Sequence, residues 1–329
     1  MQKPIIEVNN LKKYFLIHKK EPGLVGSLKS LFDRRYEEIK AVENVSFSIN
    51  EGELVGFIGP NGAGKTTTLK CLSGLLYPTS GNVSVMGFNP RKREYPFLKQ
   101  ISLVMGQKNQ LWWDLPAIES FILNREIYEI PRSQYEETLA ELTSLLEVKD
   151  ILKIQVRKLS LGQRMKCELI ASLLHCPKVL FLDEPTIGLD VVMQKKMRDF
   201  IKEYNRRNRS TVILTSHYMG DVKELCKRVI IIDKGRLIFD GDLAEIVEKY
   251  ADHKILSVVF SKEIDPKKLE KIGTVKEYCY PRAVISIKRE AISAAAAELL
   301  QNFPVADLNV EEISIEEIIR EVFTGKDVA

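Results

Sequence analysis

The chain has 329 residues, of which 45% are apolar and 29% charged, so it can bury a core and its length predicts about two domains. Its 49 basic and 45 acidic residues give a formal net charge of +4 that is spread along the chain, which does not indicate a nucleic-acid-binding arm. The longest apolar runs are far shorter than a membrane span, and the first residues lack the apolar core of an export signal, so we expect a cytoplasmic protein.

Apolar runs of strand length alternate with helical periods over the first 240 residues. The strand patterns lie at residues 5–8, 45–49, 54–58, 179–182, 211–215 and 229–232. Continuous apolar runs such as 179–182 are typical of a parallel sheet that is covered by helices on both faces. Residues 109–175 show no strand pattern, and the helical periods at 118–127 and 135–146 predict an inserted helical lobe. We therefore predict an α/β core with ligands at the carboxyl ends of its strands.

Residues 17–40 form an insertion between the first two strand patterns. Part of it has an apolar helical face next to basic residues. The apolar residues are Leu24, Val25, Leu28, Leu31 and Phe32, and the basic ones are Lys29, Arg34 and Arg35. We favour a short helix packed on its own domain. A helix lying on a membrane surface is the alternative interpretation.

The composition changes after residue 240, and residues 241–329 are predicted to form a second domain. Strand patterns lie at 255–260, 275–280, 283–288 and 307–313, and helical patterns at 266–271 and 291–302. This βαββαβ order is that of the ferredoxin-like split arrangement. Ser314 and Glu317 form a capping box that predicts a final helix over 315–323.

A glycine-rich loop follows the strand pattern at residues 54–58 and leads into a helical pattern at 67–75. It satisfies GxxxxGK[ST]. Glycines let backbone N–H groups surround an anion, and the lysine reaches the β- and γ-phosphates. A turn that only connects strand and helix would not need the lysine and threonine. The predicted phosphate site consists of Gly59, Pro60, Asn61, Gly62, Ala63, Gly64, Lys65, Thr66 and Thr67.

Two carboxylates, Asp183 and Glu184, follow the apolar strand at 179–182. Asp183, with the Thr66 hydroxyl, suits the coordination shell of Mg²⁺, and Glu184 suits the attacking water. A surface acidic pair is the alternative interpretation. Carboxylates rarely end a buried strand without a partner charge, however, and Mg²⁺ with Lys65 would supply it.

The segment LSLGQ, at residues 159–163, lies between the glycine-rich loop and the acidic strand. In this position it resembles the signature of the ABC ATPase family, whose pattern is LSGGQ. Ser160, Gly162 and Gln163 match the pattern, and Leu161 replaces its first glycine. The resemblance implies that these residues close on ATP held by a partner subunit, through the serine hydroxyl and glycine amides at a helix start.

This resemblance covers residues 1 to about 240 and implies a fold class. It is an α/β P-loop NTPase (RecA-like) core with an inserted helical subdomain at about 109–175 and an antiparallel β subdomain. The small C-terminal α+β ferredoxin-like domain follows it. The implied activity is that of an ATP-binding and ATP-hydrolysing subunit, with ATP and Mg²⁺ as cofactors.

Three further segments of the sequence match family elements in chain order. Gln107 resembles the Q-loop glutamine, which senses Mg²⁺ and the attacking water. Gly188, Leu189 and Asp190 resemble the D-loop. His217 follows the strand pattern at 211–215, where the family has a switch histidine that hydrogen-bonds the γ-phosphate.

Two tyrosines, Tyr14 and Tyr36, are candidates for stacking on the adenine base. Tyr14 lies near the end of the first strand pattern, and Tyr36 has the usual spacing to the second. We favour Tyr14, although either ring could belong to the core.

The resemblance also implies partners. Head-to-tail closure of each signature on the other chain's loop requires a homodimer or heterodimer of ATPases. Trp112 and Trp113 follow the Q-loop, where family members receive the membrane subunit, so they indicate an aromatic docking surface or else helical-lobe core. The likeness extends to bacterial export systems with separate multi-span permeases, which implies a peripheral location on the cytoplasmic face of the membrane.

Two other classes of protein compete with a transporter subunit. A soluble ABC protein acting on ribosomes or DNA usually carries paired ATPase domains or long coiled coils, and this chain has one motif set and no sustained heptads. An RNA-binding C-terminal domain would need an aromatic pattern that Tyr278 and Tyr280 do not form. We therefore expect no nucleic-acid partner.

Overall fold

The computed structural model describes residues 3–18, 36–106, 108–216, 218–250, 253–313 and 317–318. The chain divides into two compact units between Gly241 and Asp242. The predicted helical stripe of the insertion and most of the predicted final helix lie outside the described residues, as do Gln107 and His217.

The described part of the first unit contains a nine-stranded sheet with the order β4-β1-β2-β9-β8-β3-β7-β6-β5. Its strands are β1 Ile6–His18, β2 Tyr36–Ile49, β3 Leu54–Ile58, β4 Ser80–Val85, β5 Ile101–Met105, β6 Val179–Asp183, β7 Thr211–Thr215, β8 Arg228–Asp233 and β9 Arg236–Asp242. The strands from β8 to β5 run parallel, and β1 pairs antiparallel with β2 and β4. The predicted α/β P-loop NTPase fold with an antiparallel part is confirmed.

Helices surround this sheet and form the lobe between β5 and β6. They are α1 Lys65–Leu72, α2 Tyr95–Leu98, α3 Ala117–Ile127, α4 Arg132–Leu145, α5 Leu161–Leu173, α6 Val191–Asn208 and α7 Met219–Leu225. All five residues of β6 and of β7 are buried, as expected of parallel strands covered on both faces. Among the described helices, none is both long and apolar enough to span a membrane.

The hairpin of β1 and β2 is longer than the sequence patterns predicted. Residues 36–40 form the start of β2 and pair with the end of β1, so that His18 lies opposite Tyr36 and Tyr14 opposite Lys40. The side chains of residues 36–40 are exposed. Backbone pairing therefore forms this part of the ladder without the apolar alternation that reveals a half-buried strand.

The second unit contains, in its described part, a four-stranded antiparallel sheet with the order β11-β12-β10-β13. Its elements are α8 Leu243–Tyr250, β10 His253–Phe260, a 3₁₀ helix Pro266–Lys271, β11 Thr274–Cys279, β12 Arg282–Lys288, α9 Ile292–Asn302 and β13 Val305–Glu312. Leu256, Val258 and Phe260 alternate along β10 and pack in a core with Leu269 and Leu299. The sheet order and the two crossovers are those of the predicted ferredoxin-like fold.

Candidate nucleotide-binding site

The glycine-rich loop joins the carboxyl end of β3 to α1. Gly64 begins the helix with φ of 103°, a left-handed conformation that favours glycine, and a β-carbon there would lie 2.4 Å from the carbonyl oxygen of Ala41. At Gly59 a β-carbon would lie 2.3 Å from the carbonyl oxygen of Ile232. The loop is therefore held against β2 and β8 by backbone approaches that only glycine permits.

Lys65 lies across this loop. Its Nζ donates to the carbonyl oxygens of Gly59 and Pro60 at 2.6 and 3.1 Å, and the residue is only 5% exposed. Burial lowers the pKa of Lys65, and the nearby charges of Glu184 and Asp183 oppose this effect. The ammonium group therefore lies at the first two residues of the loop, within electrostatic range of the carboxylates of Glu184 and Asp183.

Asp183 lies at the centre of the site, at the end of β6. Its two carboxylate oxygens accept hydrogen bonds from the hydroxyls of Thr66 at 2.8 Å and Thr215 at 2.7 Å. Thr66 belongs to α1 and Thr215 ends β7, so the carboxylate joins the loop helix to two neighbouring strands. Carboxylate and hydroxyl oxygens are hard ligands of the kind that Mg²⁺ prefers.

Glu184 follows Asp183 in a left-handed conformation with φ of 55°, which is uncommon for a residue with a side chain. Its N–H donates to the Thr215 hydroxyl and carbonyl oxygens, each at 3.1 Å. A β-carbon at Gly106 would lie 2.2 Å from the Glu184 carbonyl oxygen, so β5 ends in contact with this turn. The residue after Gly106 is Gln107, whose own placement lies outside the described residues.

Sequence reasoning missed a buried carboxylate, Asp221, which lies four positions after the predicted switch histidine in the sequence. Asp221 is 0% exposed and accepts hydrogen bonds from the hydroxyls of Thr186 and Ser216 and from Arg198 Nη1 at 3.0 Å. Ser216 immediately precedes His217, which lies outside the described residues. Asp221 thus ties the end of β7 to the segment after Glu184. No local motif marks Asp221, because Thr186 and Arg198, two of its three partners, come from distant parts of the chain.

The signature residues lie at the start of α5. Ser160 and Gln163 form a reciprocal capping box, in which Gln163 N–H donates to the Ser160 hydroxyl at 3.2 Å and Ser160 N–H to the Gln163 side chain at 3.0 Å. Asp190 caps α6 through the N–H of Met193 at 2.9 Å. Within the described residues, neither Ser160, Gln163 nor Asp190 forms a hydrogen bond to the glycine-rich loop of its own chain.

Leu161, which replaces the first glycine of the family pattern, packs against the D-loop segment at residues 188–190. A β-carbon at Gly188 would lie 2.9 Å from Cδ2 of Leu161, and one at Gly162 would lie 3.1 Å from Cγ of Met193. Leu161 therefore fills space next to Gly188, and Gly162 gives room to α6. The start of α5 and the start of α6 form one packed surface.

The two candidate adenine-stacking tyrosines occupy different parts of the β1–β2 hairpin. Tyr14 lies opposite Lys40, whose Nζ is 5.7 Å from the ring centroid, next to Ala41, which contacts Gly64. Tyr36 is the first residue of β2, four residues before Lys40 and about 13 Å from it at strand spacing. Its ring packs edge-to-face on His18. Of the two rings, Tyr14 is the nearer to the glycine-rich loop.

An exposed aromatic surface follows β5 in the helical lobe. Trp112 is 58% exposed and Trp113 47%, with Arg164 stacked 5.5 Å from the Trp113 ring. The buried Glu168 carboxylate, also missed by sequence reasoning, accepts the N–H groups of Gln110 and Leu111. Burial raises the pKa of Glu168, and these N–H groups oppose the rise. Hydrogen bonds to a buried carboxylate therefore hold Gln110 and Leu111 in place, while the two tryptophan rings that follow them are about half exposed to solvent.

Asp221→Asn should lower the free energy of unfolding by about 3 kcal/mol, because it removes the negative charge beside the buried Arg198 guanidinium and puts an NH₂ donor where the carboxylate accepted from two hydroxyls or from Arg198. Urea unfolding of the full chain measures this loss. The control Asp199→Asn removes a 63% exposed carboxylate and should cost less than about 0.5 kcal/mol. Equal losses in the two variants would contradict a structural role for the Asp221 network.

Comparison with known proteins finds relatives of both units of the chain. A model of the ABC transporter family matches residues 42–187, and one of the EvrA-like ABC transporter C-terminal domain matches residues 252–311. The ABC transporter ATP-binding protein NatA of Bacillus subtilis (strain 168) is 32% identical over 231 residues, which cover 70% of this chain and 94% of NatA.

Two further proteins extend the comparison. The linearmycin resistance ATP-binding protein LnrL of Bacillus subtilis (strain 168) is 32% identical over 228 residues, covering 69% of this chain and 73% of LnrL. A solved dimeric ATP-binding cassette in a post-hydrolysis state, bound to ADP and Pi, has the same fold, with a TM-score of 0.60 and 23% identity over 72% of this chain and 98% of that chain.

The glycine-rich loop, the acidic strand end and the capped signature helix therefore lie in a fold that the solved cassette shares. The chain belongs to the ABC transporter family as an ATP-binding subunit, an ATPase whose activity is coupled to transport.

Proposed function

We propose that this chain hydrolyses Mg²⁺-ATP as one half of an ATPase dimer that drives a separate membrane permease, and that the permease exports its substrate. The observation that carries the proposal is the Asp183 carboxylate, held between the hydroxyls of Thr66 and Thr215 at the mouth of the glycine-rich loop. The remaining roles follow from how the other residues surround that point.

Mg²⁺ fits the Thr66 hydroxyl and the Asp183 carboxylate, two hard oxygen donors already within 2.8 Å of each other. The ion would neutralise charge on the β- and γ-phosphates. The loop from Gly59 to Thr67 supplies backbone N–H groups at a helix start, and Lys65 adds its positive charge. We also assign the Tyr14 ring to the adenine base, on its position beside Lys40 and Ala41.

Glu184 is the proposed general base for the attacking water. Its backbone is fixed by Thr215 and by the close approach of Gly106, so its side chain starts from a defined point beside Asp183. We assign Gln107 to Mg²⁺ and water and His217 to the γ-phosphate, on the family resemblance and on the placement of their neighbours Gly106 and Ser216.

The proposed dimer places the signature of one chain on the ATP of the other. The start of α5 forms a packed surface with α6, and Ser160, Gly162, Gln163 and Asp190 lie on it. Within the described residues these side chains make no hydrogen bond to their own glycine-rich loop. The solved cassette bound to ADP and Pi is dimeric, which supports this arrangement.

The proposed permease contact is the surface of Trp112 and Trp113. Two adjacent, half-exposed tryptophans above an anchored segment are unusual on a free surface and typical of a docking site. This contact would hold the chain at the cytoplasmic face of the membrane. Export is proposed from the name of LnrL, a linearmycin resistance protein.

Glu184→Gln should lower the rate of ATP hydrolysis by about 10²- to 10⁴-fold, because a general base contributes that much to a positioned water. The ATP dissociation constant should stay within about a factor of two, since the loop and Asp183 are untouched. Single-turnover hydrolysis and equilibrium nucleotide binding measure the two quantities. Glu137→Gln, at an exposed position of α4, is the control and should match the unmodified chain. A Glu184→Gln chain that hydrolyses ATP at the normal rate would exclude Glu184 as the base.

The double change Trp112→Ala and Trp113→Ala should release the chain from its membrane partner while leaving ATP binding intact. Affinity purification of the tagged chain from solubilised host membranes measures the recovery of a multi-span subunit. The matched control is Tyr77→Ala with Tyr95→Ala, which removes two aromatic rings that are 52% and 50% exposed. Equal recovery with both double variants would refute the docking surface. Recovery of ribosomes or nucleic acid with the unmodified chain would favour a soluble ABC protein instead.

A further inference from the structure

A cavity of about 270 Å³ lies between the end of α4, the middle of α5 and the first half of α6. Leu145, Leu146 and Phe200 provide its apolar wall. Lys166 and Lys196 also line it, one from α5 and one from α6. The cavity belongs to the first unit, and none of its lining residues takes part in the nucleotide site or the tryptophan surface.

Most charges at this cavity have a direct counterion. Glu147 forms an ion pair with Lys196 at 2.5 Å. Asp199 is 3.8 Å from Lys195, and Glu203 is held by Arg206 and Arg207 at 2.8 and 2.5 Å. Each of these carboxylates is therefore paired with a cation other than Lys166.

Lys166 is the exception. It is only 6% exposed, and within the described residues no hydrogen bond or ion pair of its side chain occurs. Burial and the neighbouring Lys196 ammonium lower the pKa of Lys166, while Glu147 opposes this effect. The two lysines share the lining with three carboxylates, Glu147, Asp199 and Glu203, and each of these is bonded to or lies beside a cation other than Lys166. The Lys166 side chain is largely buried, and an anion in the cavity would give its ammonium a direct counterion.

We propose that this cavity binds a small monocarboxylate with a short apolar tail, whose carboxylate pairs with Lys166 and whose tail lies on Leu145, Leu146 and Phe200. A charge-assisted bond from the ammonium of this largely buried side chain favours the carboxylate. The apolar wall favours a hydrocarbon tail over a fully hydrated anion such as inorganic phosphate. Such a ligand bridges α5 and α6, the helices that begin at Ser160 and Asp190.

Hexanoate and the uncharged analogue hexanol serve as probes, and ligand-observed NMR on the full chain measures their dissociation constants. Hexanoate should bind saturably and hexanol at least about tenfold more weakly, because only hexanoate supplies the missing charge. Lys166→Met, which keeps the apolar volume and removes the charge, should weaken hexanoate binding by about tenfold or more. Lys195→Met changes an exposed lysine that does not line the cavity and should leave binding within about a factor of two.

A second variant keeps the test decisive if Lys166→Met disturbs folding. Lys196 is a half-exposed residue, so Lys196→Met should fold normally and free Glu147 to pair with Lys166. Hexanoate binding should then fall as well. The proposal is wrong if hexanol binds as tightly as hexanoate, if hexanoate shows no saturable binding to the unmodified chain, or if Lys196→Met binds hexanoate unchanged.

Discussion

The pair of hydrogen bonds to the Asp183 carboxylate is the constraint on which the site depends. One comes from Thr66 on the helix after the glycine-rich loop and the other from Thr215 at the end of β7. Asp183 is 8% exposed, and a carboxylate that buried needs such partners. Because β3, β7 and β6 are neighbouring parallel strands, their carboxyl ends meet at one edge of the sheet, where a ligand can reach all three.

Close backbone approaches keep that edge in place. Gly59, Gly64 and Gly106 each lie where a β-carbon would come within 2.4 Å of a carbonyl oxygen, so the loops after β3 and β5 are pressed against neighbouring backbone. Asp221 accepts hydrogen bonds from Thr186 and Ser216 and so holds the segment after Glu184 to the end of β7. Positioning in this protein thus comes from backbone packing and buried hydrogen bonds around a few charged side chains.

The sequence predicted the parts of the fold whose signal is local. Central strands such as β6 are continuous apolar runs, and the glycine-rich loop, Asp183 and Glu184 form contiguous motifs. The strands β4, β5 and β9 and the outer half of the β1–β2 hairpin were not predicted. In β4, β9 and the outer hairpin, polar or exposed positions break the apolar pattern, and backbone bonds set by the topology form the pairing. β5 is a largely buried, mostly apolar run of five residues, which periodicity alone does not distinguish from a helix. Asp221 and Glu168 were missed because most of their partners are distant in sequence, and the contact of Leu161 with Gly188 required the fold itself.

In the proposed dimer, each chain supplies the glycine-rich loop, the magnesium ligands and the base of one site, and its signature serves the site of the second chain. The most direct test is the rate of ATP hydrolysis per chain, measured at saturating Mg²⁺-ATP while the purified chain is diluted from micromolar to nanomolar concentration. If the signature of one chain completes the site of the other, the rate per chain falls on dilution as the dimer dissociates. A rate per chain that stays constant under conditions where sedimentation shows only monomer would contradict it.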